Sequence, residues 1–206
     1  GGGVGVAVLS GPSHAEEVAR QVPASVVVAA KSKKLAQRVQ NAFNTSRFRV
    51  YYSTDLVGVE LGGALKNVIA IASGICDGMG LGDNTKSALL TRGLVEISRL
   101  GVAMGAKRRT FTGLAGVGDL MTTCFSPFGR NRAVGEMLGK GQTLAQILKN
   151  RKQACEGVWT AKTVQALKRK YNVDMPICDE VFKILYKNKS PKKVLDDLMS
   201  RSSKAE

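Results

Sequence analysis

The chain has 206 residues, enough for one well-packed domain or one domain with part of another, and its 44% hydrophobic content is that of a folded protein. Lysine and arginine total 31 against 16 acidic residues, a net charge of +15 that attracts nucleic acid or small phosphorylated ligands, but aromatics at 5% and not interleaved with basic residues argue against a single-strand stacking platform. No stretch approaches the roughly 18–20 uninterrupted apolar residues of a membrane span, so the sequence reads as a soluble protein, and four scattered cysteines with a single histidine supply a zinc site poorly.

The opening glycines, Gly1-Gly-Gly-Val-Gly5, do not make a dinucleotide fingerprint: they precede a strand-like run, Val6 to Leu9, and the third glycine is missing in either register. The start at Gly1 rather than methionine leads us to expect a fragment, a processed chain or an incompletely read N-terminus. Ser10-Gly-Pro-Ser13 breaks the first strand, and 14–20 reads as a short helix with Ser13 as its N-cap. Strands follow at 25–30 and 48–53, with a helix over 31–43 between them. Residues 1–54 therefore read as the end of an α/β domain, β-α-β-α-β.

From Asp55 the pattern turns to helix after helix. One runs from 55 to 73 and is broken at Gly74; a second runs from Thr85, as cap, to 104. Shorter ones are predicted near 130–138, 143–149, 157–171, 178–187 and 191–200, with Pro176 and Pro191 where helix starts tolerate proline. Residues 149–206 hold 14 Lys or Arg against 7 acids, which reads as a solvated basic face.

Four segments place polar residues within apolar or glycine-rich surroundings. In 59–71, helical spacing puts Val59, Gly62, Gly63, Lys66 and Ala70 on one face, where small neighbours allow a ligand close to the lysine. Such a lysine suits proton transfer or anion binding, or it simply snorkels. In 113–124, three glycines lead to Asp119, a second acid candidate or an N-cap, with Thr122 and Thr123 behind it. Gly129-Arg-Asn-Arg132 opens a helix, where an arginine fork and free amide groups grip phosphate. Cys155-Glu-Gly-Val158 sets an acid beside a glycine at another helix start.

Together these segments resemble the bacterial type of NAD(P)-dependent glycerol-3-phosphate dehydrogenase. The resemblance rests on LSGPSHAEEVA (9–19), GVELGGALKNVIAIASGICDGMGLGDNTKSALLTRGLVEI (58–97), TFTGLAGVGDLMTTC (110–124), GRNRAVGEMLGKG (129–141) and EGVWTA (156–161), in the family's order. It implies the α/β remnant of a Rossmann-type domain over 1–54, then an all-α substrate-binding domain over 55–206, like the C-terminal domain of 6-phosphogluconate dehydrogenase. The implied reaction interconverts dihydroxyacetone phosphate and sn-glycerol 3-phosphate with NAD or NADP as cofactor and no metal, in a cytoplasmic homodimer that feeds glycerophospholipid synthesis.

By the same resemblance Lys66 is the active-site proton donor and acceptor, with Asp119 beside it. Substrate contacts fall to Gly11, Ser13, Asn67, Thr123, Gly129, Arg130 and Asn131, and cofactor contacts to Ala15, Arg130, Ala154 and Glu156. The sequence departs from the family at Gly129, usually serine, and at His14, more often phenylalanine; the glycine fingerprint and a second active-site lysine are absent, so these 206 residues alone are expected to bind cofactor poorly. Three rivals remain: another hydroxyacid or sugar-phosphate dehydrogenase with a helical C-terminal domain, which the ALKN and GRN strings disfavour; a nucleic-acid-binding helical module, suggested only by charge; and a catalytically dead remnant that serves as an interaction domain.

Overall fold

The computed structural model describes residues 4–149 and 155–202. An α/β unit comes first. Strands β1 (Ala7–Ser10), β2 (Ala24–Ala30) and β3 (Phe48–Ser53) form one sheet in that order, with helices α1 (Ala15–Ala19) and α2 (Lys33–Phe43) between them. β1 runs antiparallel to β2, Ser10 opposite Val27, and β2 parallel to β3, Val26 opposite Val50. The β-branched run Val26 to Val28 predicts β2, and Val26, Val28 and Val50 form the small core of the sheet.

Ser13 is not the cap of α1. His14 occupies that position without a side-chain bond, and the Ser13 hydroxyl donates to the Gly11 carbonyl at 3.2 Å, tightening the turn instead. Gly11 itself has φ +152°, and a Cβ there would stand 2.9 Å from the Val26 backbone, so the turn can lie against β2 only with glycine.

Helices make up the rest: α3 (Leu56–Gly78), α4 (Asp83–Ala103), α5 (Arg108–Phe111), a π-helical turn (Leu114–Gly118), α6 (Asp119–Phe125), α7 (Arg130–Gly139), α8 (Leu144–Lys149), α9 (Glu156–Tyr171), α10 (Pro176–Lys187) and α11 (Pro191–Met199). Asp55 begins α3: its Oδ1 accepts from Gly58 N at 3.0 Å, while Oδ2 accepts from Lys107 N at 2.8 Å and so ties α5 to the same point. α3 is long and apolar enough by length and composition to cross a membrane, but more than half of its apolar window is buried inside the fold, where it is the central helix. Leu65, Val68, Ile69, Ile71 and Ile75 are its core contributions, each stabilising by about 1.5–3 kcal/mol on burial.

The expected break at Gly74 does not occur. Glycine in a helix interior costs roughly 1 kcal/mol, yet α3 continues through Gly74 because packing outweighs propensity. A Cβ on Gly74 would stand 1.9 Å from the Arg132 carbonyl oxygen, and one on Gly78 2.2 Å from that of Glu136. Reciprocally, a Cβ on Gly135 would reach to 2.0 Å of the Ile71 oxygen, and one on Gly139 to 2.5 Å of the Ile75 oxygen. Two glycine pairs spaced four apart thus face each other, and α3 and α7 run in the same sense at backbone contact.

Gly82 rather than Thr85 precedes α4. Near the end of α3, the Lys86 ammonium donates to both oxygens of Asp77, at 2.8 and 3.0 Å, and lies 4.8 Å from the Phe125 ring centre. Arg132 Nε stands 2.8 Å from Asp77 Oδ2 without an aligned hydrogen bond, so this contact is Coulombic. On the far side, buried Glu96 of α4 accepts from Ile177 N at 2.7 Å and Cys178 N at 3.1 Å, capping α10 from another helix. Burial raises its carboxyl to about 7, although the two amide bonds pull the other way.

Two measurements test this packing. Gly74→Ala should lower the urea-unfolding free energy by at least about 2 kcal/mol, because overpacking exceeds the propensity gain. Gly82→Ala, where an added Cβ meets nothing within 4 Å, should change it by less than about 1 kcal/mol. For Glu96, the folded state keeps a proton from pH 4.5 to about 7 that the unfolded chain has released. Stability therefore falls as pH rises through that window, by up to about 3 kcal/mol at the full shift. The difference between wild type and Glu96→Gln should move by that order, against wild type, between pH 4.5 and pH 7.5.

Candidate active site

Lys66 projects from the middle of α3, on the face shared with Gly62 and Gly63. That face is small for a reason: a Cβ on Gly62 would come within 2.3 Å of the Ala115 oxygen in the π-helical turn. The turn packs close through Ala115, which forms a cluster with Val59 of α3 and Ala29 of β2. It delivers Asp119, at the start of α6, against the lysine. Asp119 does not cap its own helix; its carboxylate is turned away to side chains of other elements.

Lys66 Nζ donates to Asp119 Oδ1, an ion pair in which the lysine side chain is 20% exposed and the aspartate 3%. A buried carboxylate thus holds an ammonium that still reaches solvent. The other oxygen, Oδ2, accepts from Ser10 Oγ at 2.7 Å, from the last residue of β1. Thr123, one turn along α6, spends its hydroxyl on the Asp119 carbonyl at 2.7 Å and stands 3.4 Å from Oδ1.

A second layer joins α3 to the starts of α7 and α9. Asn131 Nδ2 donates to Asn67 Oδ1 at 2.9 Å, while Asn131 Oδ1 accepts from Gly157 N at 2.9 Å and from the Cys155 thiol at 2.8 Å. Asn131 is buried, and its side chain is a strut between three helices. Its backbone amide is also suited to an anion, because the first amide groups of α7 have no carbonyl four residues back. Gly129 precedes them, and a Cβ there would meet the Thr123 oxygen at 3.0 Å, a tight fit.

Arg130 Nη2 donates to Glu156 Oε1 at 3.1 Å, joining the α7 and α9 starts at the rim, with both side chains about half exposed. An exposed pair of this kind stabilises by no more than about 1 kcal/mol and leaves the guanidinium easily redirected. Ala15 is exposed at the start of α1, and His14 Nε2 lies 3.4 Å from the Thr122 carbonyl, its ring edge-on to Phe128. Ala154 lies outside the described residues.

The structure therefore brings Lys66, Asp119, Thr123 and Asn67 into one cluster, with Arg130, Asn131 and Glu156 beside it. Two contributors escaped the sequence reading. Ser10 sits in the quoted LSGPS string but reads there only as a strand breaker. Cys155 looks like an idle thiol, and its donation to Asn131 has no sequence signal. A mostly apolar groove of about 880 Å³ between α3, α4, α10 and α11 contains none of these residues.

Comparison with known proteins bears on this arrangement. Residues 55–196 match the family model described as NAD-dependent glycerol-3-phosphate dehydrogenase C-terminus, and residues 2–36 match the corresponding N-terminus model. A protein of Salinibacter ruber named glycerol-3-phosphate dehydrogenase (NAD(P)+) 2 is 54% identical over 201 residues, covering 98% of this chain and 58% of the relative. One from Citrifermentans bemidjiense, named glycerol-3-phosphate dehydrogenase (NAD(P)+), is also 54% identical, over 98% of this chain and 60% of its own length. The crystal structure of glycerol-3-phosphate dehydrogenase from Coxiella burnetii superposes with a TM-score of 0.92 at 41% identity, over 97% of this chain and 61% of that one. The chain spans about three fifths of the length of the curated relatives it matches.

Proposed function

The chain belongs to the NAD-dependent glycerol-3-phosphate dehydrogenase family, and we propose that it carries the substrate-binding and proton-transfer half of an enzyme that interconverts dihydroxyacetone phosphate and sn-glycerol 3-phosphate with NAD or NADP. The observation that supports this most directly is the Lys66 ammonium, still reaching solvent and held by a buried carboxylate, with a helix start and an arginine alongside. We divide the chain at Asp55, with residues 1–54 the end of the nucleotide-binding domain and 55–206 the substrate domain. A homodimer in the cytoplasm is the expected setting.

The fit to a dinucleotide is partial. The α7 and α9 starts, with Arg130 and Glu156, supply a polar rim suited to the reactive end of NAD or NADP, and Ala15 at the start of α1 is exposed to a ligand. No glycine fingerprint occurs in this sequence, so no residue here is assigned to the adenine end. When bound, the cofactor supplies or accepts the hydride.

This chain's own residues do the rest. As the carbonyl is reduced, negative charge grows on its oxygen, and the Lys66 ammonium stabilises that charge and then donates a proton to the oxygen. In the reverse direction neutral Lys66 accepts the alcohol proton. Asp119 keeps Nζ from swinging back along α3. The substrate phosphate is taken by the Arg130 fork, which leaves Glu156, and by backbone amides at the start of α7, including that of Asn131. Gly11 and Ser13 shape the turn at the substrate's other side. Asn67 and Thr123, already bonded within the protein, fix the walls.

The test is oxidation of NADH or NADPH on addition of dihydroxyacetone phosphate, measured on the full-length protein that carries this chain. Lys66→Ala should lower kcat by about a thousandfold with KM little changed, in the range of general acid catalysis. Arg130→Ala should raise KM for dihydroxyacetone phosphate roughly 10–100-fold, the value of a charged hydrogen bond to phosphate. Silence with both cofactors, or a Lys66→Ala enzyme within tenfold of wild type, overturns the reading.

A further inference from the structure

Asp119 has two carboxylate oxygens with different partners. Oδ1 takes the Lys66 ammonium, a residue of the same helical domain. Oδ2 takes the Ser10 hydroxyl, from the end of β1 in the α/β unit, at 2.7 Å. Among the described residues no other hydrogen bond reaches Oδ2. Thr123, the remaining neighbour, is committed to the Asp119 backbone carbonyl.

A carboxylate fixed at one oxygen alone can turn about its terminal torsion, which is broad and roughly two-fold. Turned, it would present both oxygens to the ammonium and take two of its three protons. With Oδ2 engaged elsewhere, Lys66 gives one proton to Asp119 and keeps the others for a ligand. The geometry also requires room. Gly63 lies one turn before Lys66, and a Cβ there would stand 2.9 Å from Ser10 Oγ but 3.7 Å from Ser10 Cβ. The first distance displaces a hydroxyl; the second is ordinary van der Waals contact. Nothing else lies within 4 Å of that position, so the missing side chain of Gly63 is matched to the Ser10 hydroxyl alone.

We propose that Ser10 is a positioning residue for the reaction: its hydroxyl, admitted by Gly63, occupies Asp119 Oδ2 and so sets the orientation of the Lys66 ammonium toward the substrate oxygen. The inference rests on the reading of Lys66 as proton donor. Ser10 keeps its own proton throughout and touches neither substrate nor cofactor. Because β1 belongs to one unit and Lys66 with Asp119 to the other, the proton donor is aimed only while the two are docked.

The test is a double-mutant cycle on the full-length protein: wild type, Ser10→Ala, Gly63→Ala and the double variant. Each is assayed for kcat and KM with dihydroxyacetone phosphate, and for the Lys66 ammonium proton–nitrogen correlation without substrate, assigned by its loss in Lys66→Met. Loss of one buried hydrogen bond is of the order that gives a roughly 5–20-fold fall in kcat. Ser10→Ala and Gly63→Ala should each fall by that factor with KM within about twofold, and the double variant should be no slower than either single one. The ammonium signal should shift alike in all three. A Ser10→Ala enzyme within twofold of wild type, or effects that multiply in the double variant, overturns the proposal. If wild type does not turn over but the ammonium signal responds as described, the positioning stands and the assigned reaction fails. If turnover is normal and the signal is unmoved by Ser10→Ala, the reverse holds.

Discussion

The site depends on the backbone contact between α3 and α7. Four glycines let the two helices meet at a distance that any Cβ would prevent, and the register of that contact decides what else can be adjacent. With Gly135 against Ile71 and Gly74 against Arg132, the start of α7 falls level with Asn67, one residue beyond Lys66. Arg130 and the first amides of α7 are thereby delivered beside the lysine. Dispersion at such a short separation is strong because many atom pairs approach their optimum together, and it offsets the helix propensity that the glycines forfeit. The Asp77, Lys86 and Arg132 cluster then fixes the far end of the same pair, so neither helix can slide along the other without parting a partly buried charge from its counterion.

On that platform α9 packs through Val158, Ala161 and Val164, and one polar side chain fixes its start. Asn131 bonds to Asn67, Gly157 and Cys155 at once, and the glycine at 157 is required because a Cβ would stand 2.6 Å from the Asn67 oxygen. Buried amide networks stabilise when every member is satisfied and cost heavily when one is lost. The exposed Arg130–Glu156 pair on the rim is different in kind. It is cheap to open, and under the proposed function phosphate binding by Arg130 would open it. Rigid polar contacts lie beneath the site, and a labile one lies at its mouth.

The strand order, the longer helices, the change of regime at Asp55 and the glycine face around Lys66 are legible in the sequence, because each rests on local periodicity, whereas α6 is not. Gly74 is not. A glycine in a helix reads as a break when only the chain's own propensity is weighed, and the neighbour that keeps it helical is sixty residues away at Arg132. Asp119 is ambiguous for a related reason: an acid at a helix start looks like a cap, and only Lys66 and Ser10 in space reveal another use. Asn131 is identified through the family resemblance as a phosphate contact; its side chain also bonds three protein partners, a second use that no local pattern reveals. Short elements without periodicity, α5 and the π-helical turn, carry no signal strong enough to predict.

The arrangement also explains why a basic protein needs so deeply buried an acid. With 31 basic residues against 16 acidic ones, the average field favours anions across the surface and does not by itself single out one lysine. Lys66 is distinguished by having its counter-charge inside the protein, 3% exposed, rather than in solvent where salt would screen it. Its attraction for an anionic ligand, the phosphorylated ketone of the proposed function, would therefore be directional, while the surface charge only raises the local concentration of anions. Ser10 belongs to the same logic: a carboxylate that must hold an ammonium without capturing it needs a second donor. In this structure the donor to Oδ2 comes from the end of β1, where Ser10 faces Gly63 of α3.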